Sequence, residues 1–122
     1  MRKIKSVTAA YHREWYSRNK DKRRLQVWRC TQLRRKNARK FVAEYLSEHP
    51  CVDCGESDIV VLEFDHVTGK KVDGIARLMD SSGIPAVKKE ISKCQVVCAN
   101  CHRRRTSARG NHWREKFSAR LG

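Results

Sequence analysis

Two Cys-x-x-Cys pairs, Cys51/Cys54 and Cys98/Cys101, bracket the middle of this chain. Each sets two thiolates on one tight turn. Together they make the tetrahedral four-thiolate set of a closed structural Zn2+ site. Between the pairs, the apolar stretch Leu62-Glu63-Phe64 ends in an adjacent carboxylate and imidazole, Asp65 and His66, and His102 directly follows the last cysteine. A carboxylate offers a divalent cation a hard oxygen. An imidazole can serve as a ligand or, when neutral, can take a proton from water near physiological pH. Such a set, separate from the thiolates, suits one-metal hydrolysis of a phosphodiester. The other two cysteines read differently. Cys30 has no Cys or His partner at ligand spacing and reads as a free thiol. Cys94 follows a helical segment among apolar neighbours and reads as a small buried hydrophobe.

These residues need elements to position them. Residues 1–49 hold no Gly or Pro and are rich in helix formers, so one long helix or two joined helices are expected from Thr8 to Ser47. The i, i+4 pairs Phe41/Tyr45 and Val42/Leu46 should pack on the cysteine-bearing domain. His49-Pro50 ends the helix. Ile59 to Phe64 reads as a strand, Val72 to Met79 as a short helix with Ile75, Leu78 and Met79 inward, and Ile84 to Lys93 as a helix with Pro85 in its first turn. Cys94 to Val97 reads as a brief extended segment, and a last helix should start near Asn100 and carry Arg103-Arg104-Arg105. Alternation along a strand sends Asp65 and His66 to opposite sides, which suits two separate roles. Three regions result: a basic helical arm over residues 1–49, a zinc-stabilised α+β domain over 50–110, and a basic C-terminal tail over 111–122.

The net charge of +15 over 122 residues is unevenly spread. Residues 1–50 carry 15 Lys+Arg against 4 Asp+Glu, residues 51–102 carry 6 against 8, and residues 103–122 carry 7 against 1. A slightly acidic centre with metal-ligand residues between basic flanks is the electrostatic footprint of a nucleic-acid binder. Arg23, Arg24, Arg34 and Arg35 in the arm, and Arg103, Arg104, Arg105 and Arg109 beyond His102, are candidate phosphate contacts; a solvated helix face is the competing reading. Aromatics interleaved with the arm's cations can stack on bases or pack a helix interface. Met1-Arg2-Lys3-Ile4-Lys5 is basic but no apolar region follows, and the aliphatic run Ile59-Val60-Val61-Leu62 is too short to span a bilayer. An intracellular, cytoplasmic and nucleoid-associated setting with no membrane partner is therefore expected, where such cysteine pairs bind metal.

Cys51-x-x-Cys54, Leu62-x-Phe64-Asp65-His66 and Cys98-Ala99-Asn100-Cys101-His102 together resemble the HNH endonucleases of the four-cysteine zinc type found in bacteria and their phages. The resemblance covers residues 50–107. It implies a ββα-metal (His-Me finger) core whose helix docks along the DNA minor groove, and a DNA-cleaving hydrolase that nicks or cuts both strands. It also implies Asp65 and His102 as ligands of a catalytic divalent metal, Mg2+ or Mn2+, His66 as the general base, and the four cysteines on structural zinc. The family's middle Asn falls at Lys93 here; Asn100, inside the second knuckle, either stands in for it or shapes the turn. Thr106, one helical turn after His102, is a further candidate contact. The competing expectation is a non-catalytic zinc-containing nucleic-acid-binding module, or an accessory subunit of a phage DNA-processing complex, as a monomer or a homodimer.

Overall fold

A computed structural model of the chain describes residues 2–110 and 112–121, with side chains described for 8–110 and 112–118. Helix α1 runs without a break from Arg2 to Glu48. The chain divides into two compact units, Met1–Arg34 and Arg35–Gly122. In the first unit α1 buries none of its described side chains: Tyr11, Trp15, Tyr16, Leu25, Val27, Trp28 and Leu33 are all exposed. Its local contacts are within the helix, such as Trp15 edge-on to Tyr16 and the Arg23 guanidinium 5.0 Å over the Tyr16 ring.

The second unit opens on the last turns of α1, where Ala38, Val42 and Leu46 are buried and Phe41 and Tyr45 pack beside them. Here the i, i+4 apolar stripe finds a core. Arg35 Nε donates to the Asp80 carbonyl (3.1 Å) and Arg39 Nη2 to the Asp80 carboxylate (3.0 Å), pinning this stretch from the side. His49 stacks on Tyr45, ring centroids 3.9 Å apart, where the helix stops before Pro50.

Strand β1 (Leu62–His66) pairs antiparallel with β2 (Cys94–Cys98), with Leu62 opposite Cys98, Asp65 opposite Gln95 and His66 opposite Cys94. The strand lies later than the sequence pattern predicts. Ile59–Val61 forms a single 3-10 turn, its Val60 N–H held by Asp58 Oδ1 (3.0 Å), so Asp65 and His66 belong to the strand and do not follow it. The β-branched run Ile59-Val60-Val61 satisfies strand propensity, but a capping aspartate offers the backbone a competing partner. Helices α2 (Ile75–Ser81) and α3 (Ile84–Ile91) fill the connection between the strands. Gly83, at φ +78°, turns the chain between them, and Pro85 lies in the first turn of α3. Helix α4 (Ala99–Ala108) starts directly from β2 and packs on both strands. Helix α5 (Trp113–Leu121) occupies the segment expected as a tail.

The core of this unit is small: Val42, Leu46, Leu62, Ile75, Leu78, Val87, Ile91, Val96 and Val97, joined by Cys51, Cys98 and Cys101. Ile75 and Leu78 face inward as the helical spacing predicts, with Met79 partly covered. So short a sheet buries too little apolar surface to be secure alone, which leaves a structural role for the cysteine cluster inside that core.

Candidate active site

The first knuckle is built by backbone. Gly55 N–H donates to the Cys51 carbonyl (2.9 Å), Cys51 N–H to the Glu56 carbonyl (2.9 Å), and Gly55 takes φ +81°, which a side chain would disfavour. Val52 N–H donates to the Val96 carbonyl (3.0 Å), so the knuckle is tied to β2. The second knuckle is the β2–α4 junction itself. Cys98 caps α4, its Sγ accepting from the Cys101 N–H at 3.4 Å. These two turns bring the ligand atoms of Cys51, Cys54, Cys98 and Cys101 within 4.8 Å of one another, and Cys54 and Cys98 Sγ stand 3.7 Å apart. A tetrahedral ion with Zn–S bonds of about 2.3 Å sets its sulfurs about 3.8 Å apart. The four cysteines can hold a metal ion. The protons of the set point the same way. Burial pushes the Cys51 thiol up, but backbone groups of Cys98, Cys54 and Asp53 outweigh it and bring it down to about 6. Cys101 is pushed up to about 12 by its hydrogen bond with Cys98 and by burial. Four thiolates this close repel one another, so full deprotonation calls for a cation among them.

Cys94, the cysteine read as a non-ligand, lies outside this cluster. Half-buried, it donates from Sγ to the Glu90 carbonyl (3.3 Å), and burial with the nearby Glu90 charge raises its thiol to about 11. Cys30 is an exposed free thiol.

Asp65 and His66 leave opposite faces of β1. Asp65, 3% exposed, turns toward α4. Its Oδ1 accepts from Arg109 Nη1 (3.1 Å), and its Oδ2 accepts from Arg109 Nη2 (2.8 Å) and Arg105 Nη1 (2.9 Å). These guanidiniums, Arg109 foremost, hold the Asp65 carboxyl at about 2 against burial. Arg105 is occupied on its other edges too, forking both oxygens of Asp53 at 2.7 Å and reaching Gln95 Oε1 at 2.9 Å. Of the candidate phosphate contacts Arg103, Arg104, Arg105 and Arg109, the last two serve Asp65, whereas Arg103 and Arg104 are exposed and do not.

His102, on the first turn of α4, sits between two carboxylates of β1. Glu63 Oε2 lies 2.6 Å from Nδ1 and Asp65 Oδ1 lies 3.6 Å from Nε2. An ionised glutamate only accepts, so Nδ1–H donates to Glu63, and in the neutral ring Nε2 turns its lone pair toward Asp65. Asp65 Oδ1 carries one arginine bond of the two lone-pair sites it offers. An imidazole nitrogen and a carboxylate oxygen converging this way suit one divalent cation. Beside them lies an open groove of about 490 Å³ lined by Glu63, Ala99, Asn100, His102, Arg103, Thr106 and His112. Asn100 is exposed there, on the second knuckle, and Thr106 Oγ1 donates to the His102 carbonyl (3.1 Å).

His66 faces the other way. Its Nε2 meets Glu90 Oε1 of α3 at 3.1 Å, and the ring lines a separate groove of about 360 Å³ with Phe64, Lys71, Gly74 and Met79. Lys93, in the turn before β2, reaches Glu90 Oε2 at 3.2 Å. The structure thus brings Asp65 and His102 together on one face of β1 and sets His66 on the other. Sequence reasoning missed Glu63, Glu90 and the anchoring role of Asp53. Glu90 left a signal: it shares the inward face of α3 with Val87 and Ile91, where a charge demands a partner. In the arm, Arg24 and Arg34 are exposed, Arg23 lies over Tyr16, and Arg35 is taken up by Asp80. Among the described residues no helix is long and apolar enough to cross a membrane. No protein-family model matches the chain, and the searches of curated proteins and of solved structures returned no match.

Proposed function

We propose that the chain is a metal-dependent HNH-type endonuclease that hydrolyses phosphodiester bonds in DNA, with β1, β2 and α4 as its ββα-metal core. One observation carries the reading: Asp65 and His102 converge to 3.6 Å on a two-stranded sheet and helix whose knuckles gather four thiols within 4.8 Å. In this reading Cys51, Cys54, Cys98 and Cys101 hold structural Zn2+, and Asp65 and His102 hold a catalytic Mg2+ or Mn2+. That divalent ion supplies Lewis-acid charge to the phosphodiester.

The chain's own groups do the rest. Glu63 fixes the tautomer of His102. His66, held through Nε2, takes a proton from water at Nδ1; the water oxygen bonds phosphorus as the bond to the leaving 3′ oxygen breaks. The phosphate must cross the end of β1, where the two faces carrying Asp65 and His66 meet. Arg103 and Arg104 are exposed beside His102 and suit flanking phosphates. The +11 balance of residues 1–50 supplies attraction to DNA without a base-reading motif.

The test is plasmid cleavage. The wild-type protein should nick or cut with Mg2+ or Mn2+ and not in EDTA. Removing the general base in His66→Ala should slow cleavage by about 100-fold or more, with metal content unchanged and the second unit still folded by circular dichroism. Equal cleavage by that variant overturns the reading. A second reading is favoured by the two arginines already on Asp65: a non-catalytic zinc-containing DNA-binding module or accessory subunit. It predicts strongly salt-dependent DNA binding and no cleavage in any divalent metal.

A further inference from the structure

Resting on the reading of His66 as general base, we propose that Glu90 is its positioning residue, with Lys93 as the clamp that holds Glu90 in place. Glu90 is 2% exposed, a costly place for a carboxylate unless its oxygens are used. Among the described residues, both oxygens of its carboxylate are used. Oε1 meets His66 Nε2 (3.1 Å) and accepts from the Val72 N–H (3.0 Å), and Oε2 accepts from Lys93 Nζ (3.2 Å). Burial pushes the Glu90 carboxyl up, but Val72 and Lys93 outweigh it and hold it below the usual carboxylate range. An ionised Glu90 can only accept, so Nε2 of His66 carries a proton, and in the neutral ring Nδ1 keeps the lone pair. Among the described residues, nothing bonds to Nδ1, which leaves it for water.

The clamp reaches further than Glu90. Lys93 Nζ also donates to the Lys70 carbonyl (2.7 Å), and the Lys93 carbonyl accepts from the N–H groups of Val67 (2.9 Å) and Thr68 (3.2 Å). The aliphatic stem runs under Gly69, where an added Cβ would lie 3.6 Å from Lys93 Cδ and where φ is +67°. The segment that leaves His66 is thereby tied to α3 and the α3–β2 turn at Val67, Thr68, Lys70 and Val72. A base within hydrogen-bond reach of its proton needs a fixed ring, and a buried, charged acceptor behind the ring is the device that fixes it.

The experiment joins a tautomer readout to kinetics in the full chain with its zinc. In 15N NMR at a pH where the ring is neutral, His66 should be the Nε2–H tautomer in wild type and in Glu90→Gln, which keeps an acceptor oxygen. Glu90→Leu should lose that preference. On plasmid DNA, Glu90→Leu should lower kcat about 100-fold with KM unchanged, and Glu90→Gln should stay within about 10-fold. The double variant His66→Ala/Glu90→Leu should be no slower than His66→Ala, because Glu90 acts only through His66. Where Glu90→Leu does not fold, Lys93→Met unclamps Glu90 and should show the same two shifts at about 10-fold in kcat. An active wild type with an Nδ1–H tautomer, a normally active Glu90→Leu, or additive losses overturns the inference alone. A wild type that fails to cleave in any divalent metal overturns the endonuclease reading and the inference with it.

Discussion

Arg105 is the residue whose loss the structure prices most clearly. It donates two bonds of 2.7 Å to Asp53, one of 2.9 Å to Asp65 and one of 2.9 Å to Gln95. The Asp53 part is weak in effect, since that side chain is 36% exposed and surface pairs contribute at most about 1 kcal/mol. Asp65 decides the outcome, at 4% side-chain exposure. Breaking a buried pair from one side costs about 3–5 kcal/mol, because a charge is left without compensation. Arg109 still holds both Asp65 oxygens, so we expect about 2–3 kcal/mol for Arg105→Ala. For a unit of this size that lowers the melting temperature by roughly 10–20 °C. Arg104→Ala, on the exposed side of the same helix, should stay within about 0.5 kcal/mol. Urea or thermal unfolding of both variants, compared with Arg105→Ala/Asp65→Asn, measures it. The neutral Asp65→Asn should return most of the loss, because the stranded charge is gone. An Arg105→Ala protein as stable as Arg104→Ala, or a double variant weaker than the single, refutes the argument.

Three further outcomes follow from the same geometry. The Asp65 carboxyl, held at about 2 against an ordinary 3.8, contributes on the order of 2 kcal/mol that is fully present above about pH 4. That contribution is lost as pH falls from 4 toward 2; an acid melt of Asp65→Asn should show a shallower decline over that window, and parallel curves would count against it. On the proposal that the four-cysteine cluster holds Zn2+, a chelator should release one zinc per chain and abolish cooperative melting of the second unit, read by near-UV circular dichroism; an unchanged transition would remove the structural role of the cluster. Val97, fully buried on β2, should cost about 2–3 kcal/mol when cut to Ala, checked by chemical unfolding, and a value under about 0.5 would deny it a place in the core.

What one dimension of the chain determines is spacing and local preference. Two cysteines three apart on a tight turn share a knuckle whatever the fold, so the four-cysteine cluster that can hold a metal ion was legible before any contact was known. A run without Gly or Pro becomes helix, and α1 extends across nearly all of it. The i, i+4 stripe of Val42 and Leu46 points to burial on a core that the sequence does not itself draw. Strand ends were less legible. Ile59 to Val61 has the composition of a strand, yet the Asp58 cap and the pairing with β2 shift the strand to Leu62–His66. With the strand running to His66, Asp65 and His66 lie inside its alternation and leave opposite faces, as their adjacent places in a strand predict.

Only the tertiary structure chose their partners. Asp65 is 40 residues from Arg105 and 44 from Arg109, and the spacing of arginines along α4 does not say which will turn inward. The choice came from packing α4 across both strands, which presents one face of the helix to Asp65 and leaves Arg103 and Arg104 outside. Glu90 shows the same limit. Its helical spacing marks a buried position, but its partner, His66, is 24 residues away and is reached only because β1 and β2 pair in the observed register. Ligand spacing is a property of the chain; the protonation and orientation of the groups around the ligands depend on contacts that exist only after the sheet and its helices have closed on one another.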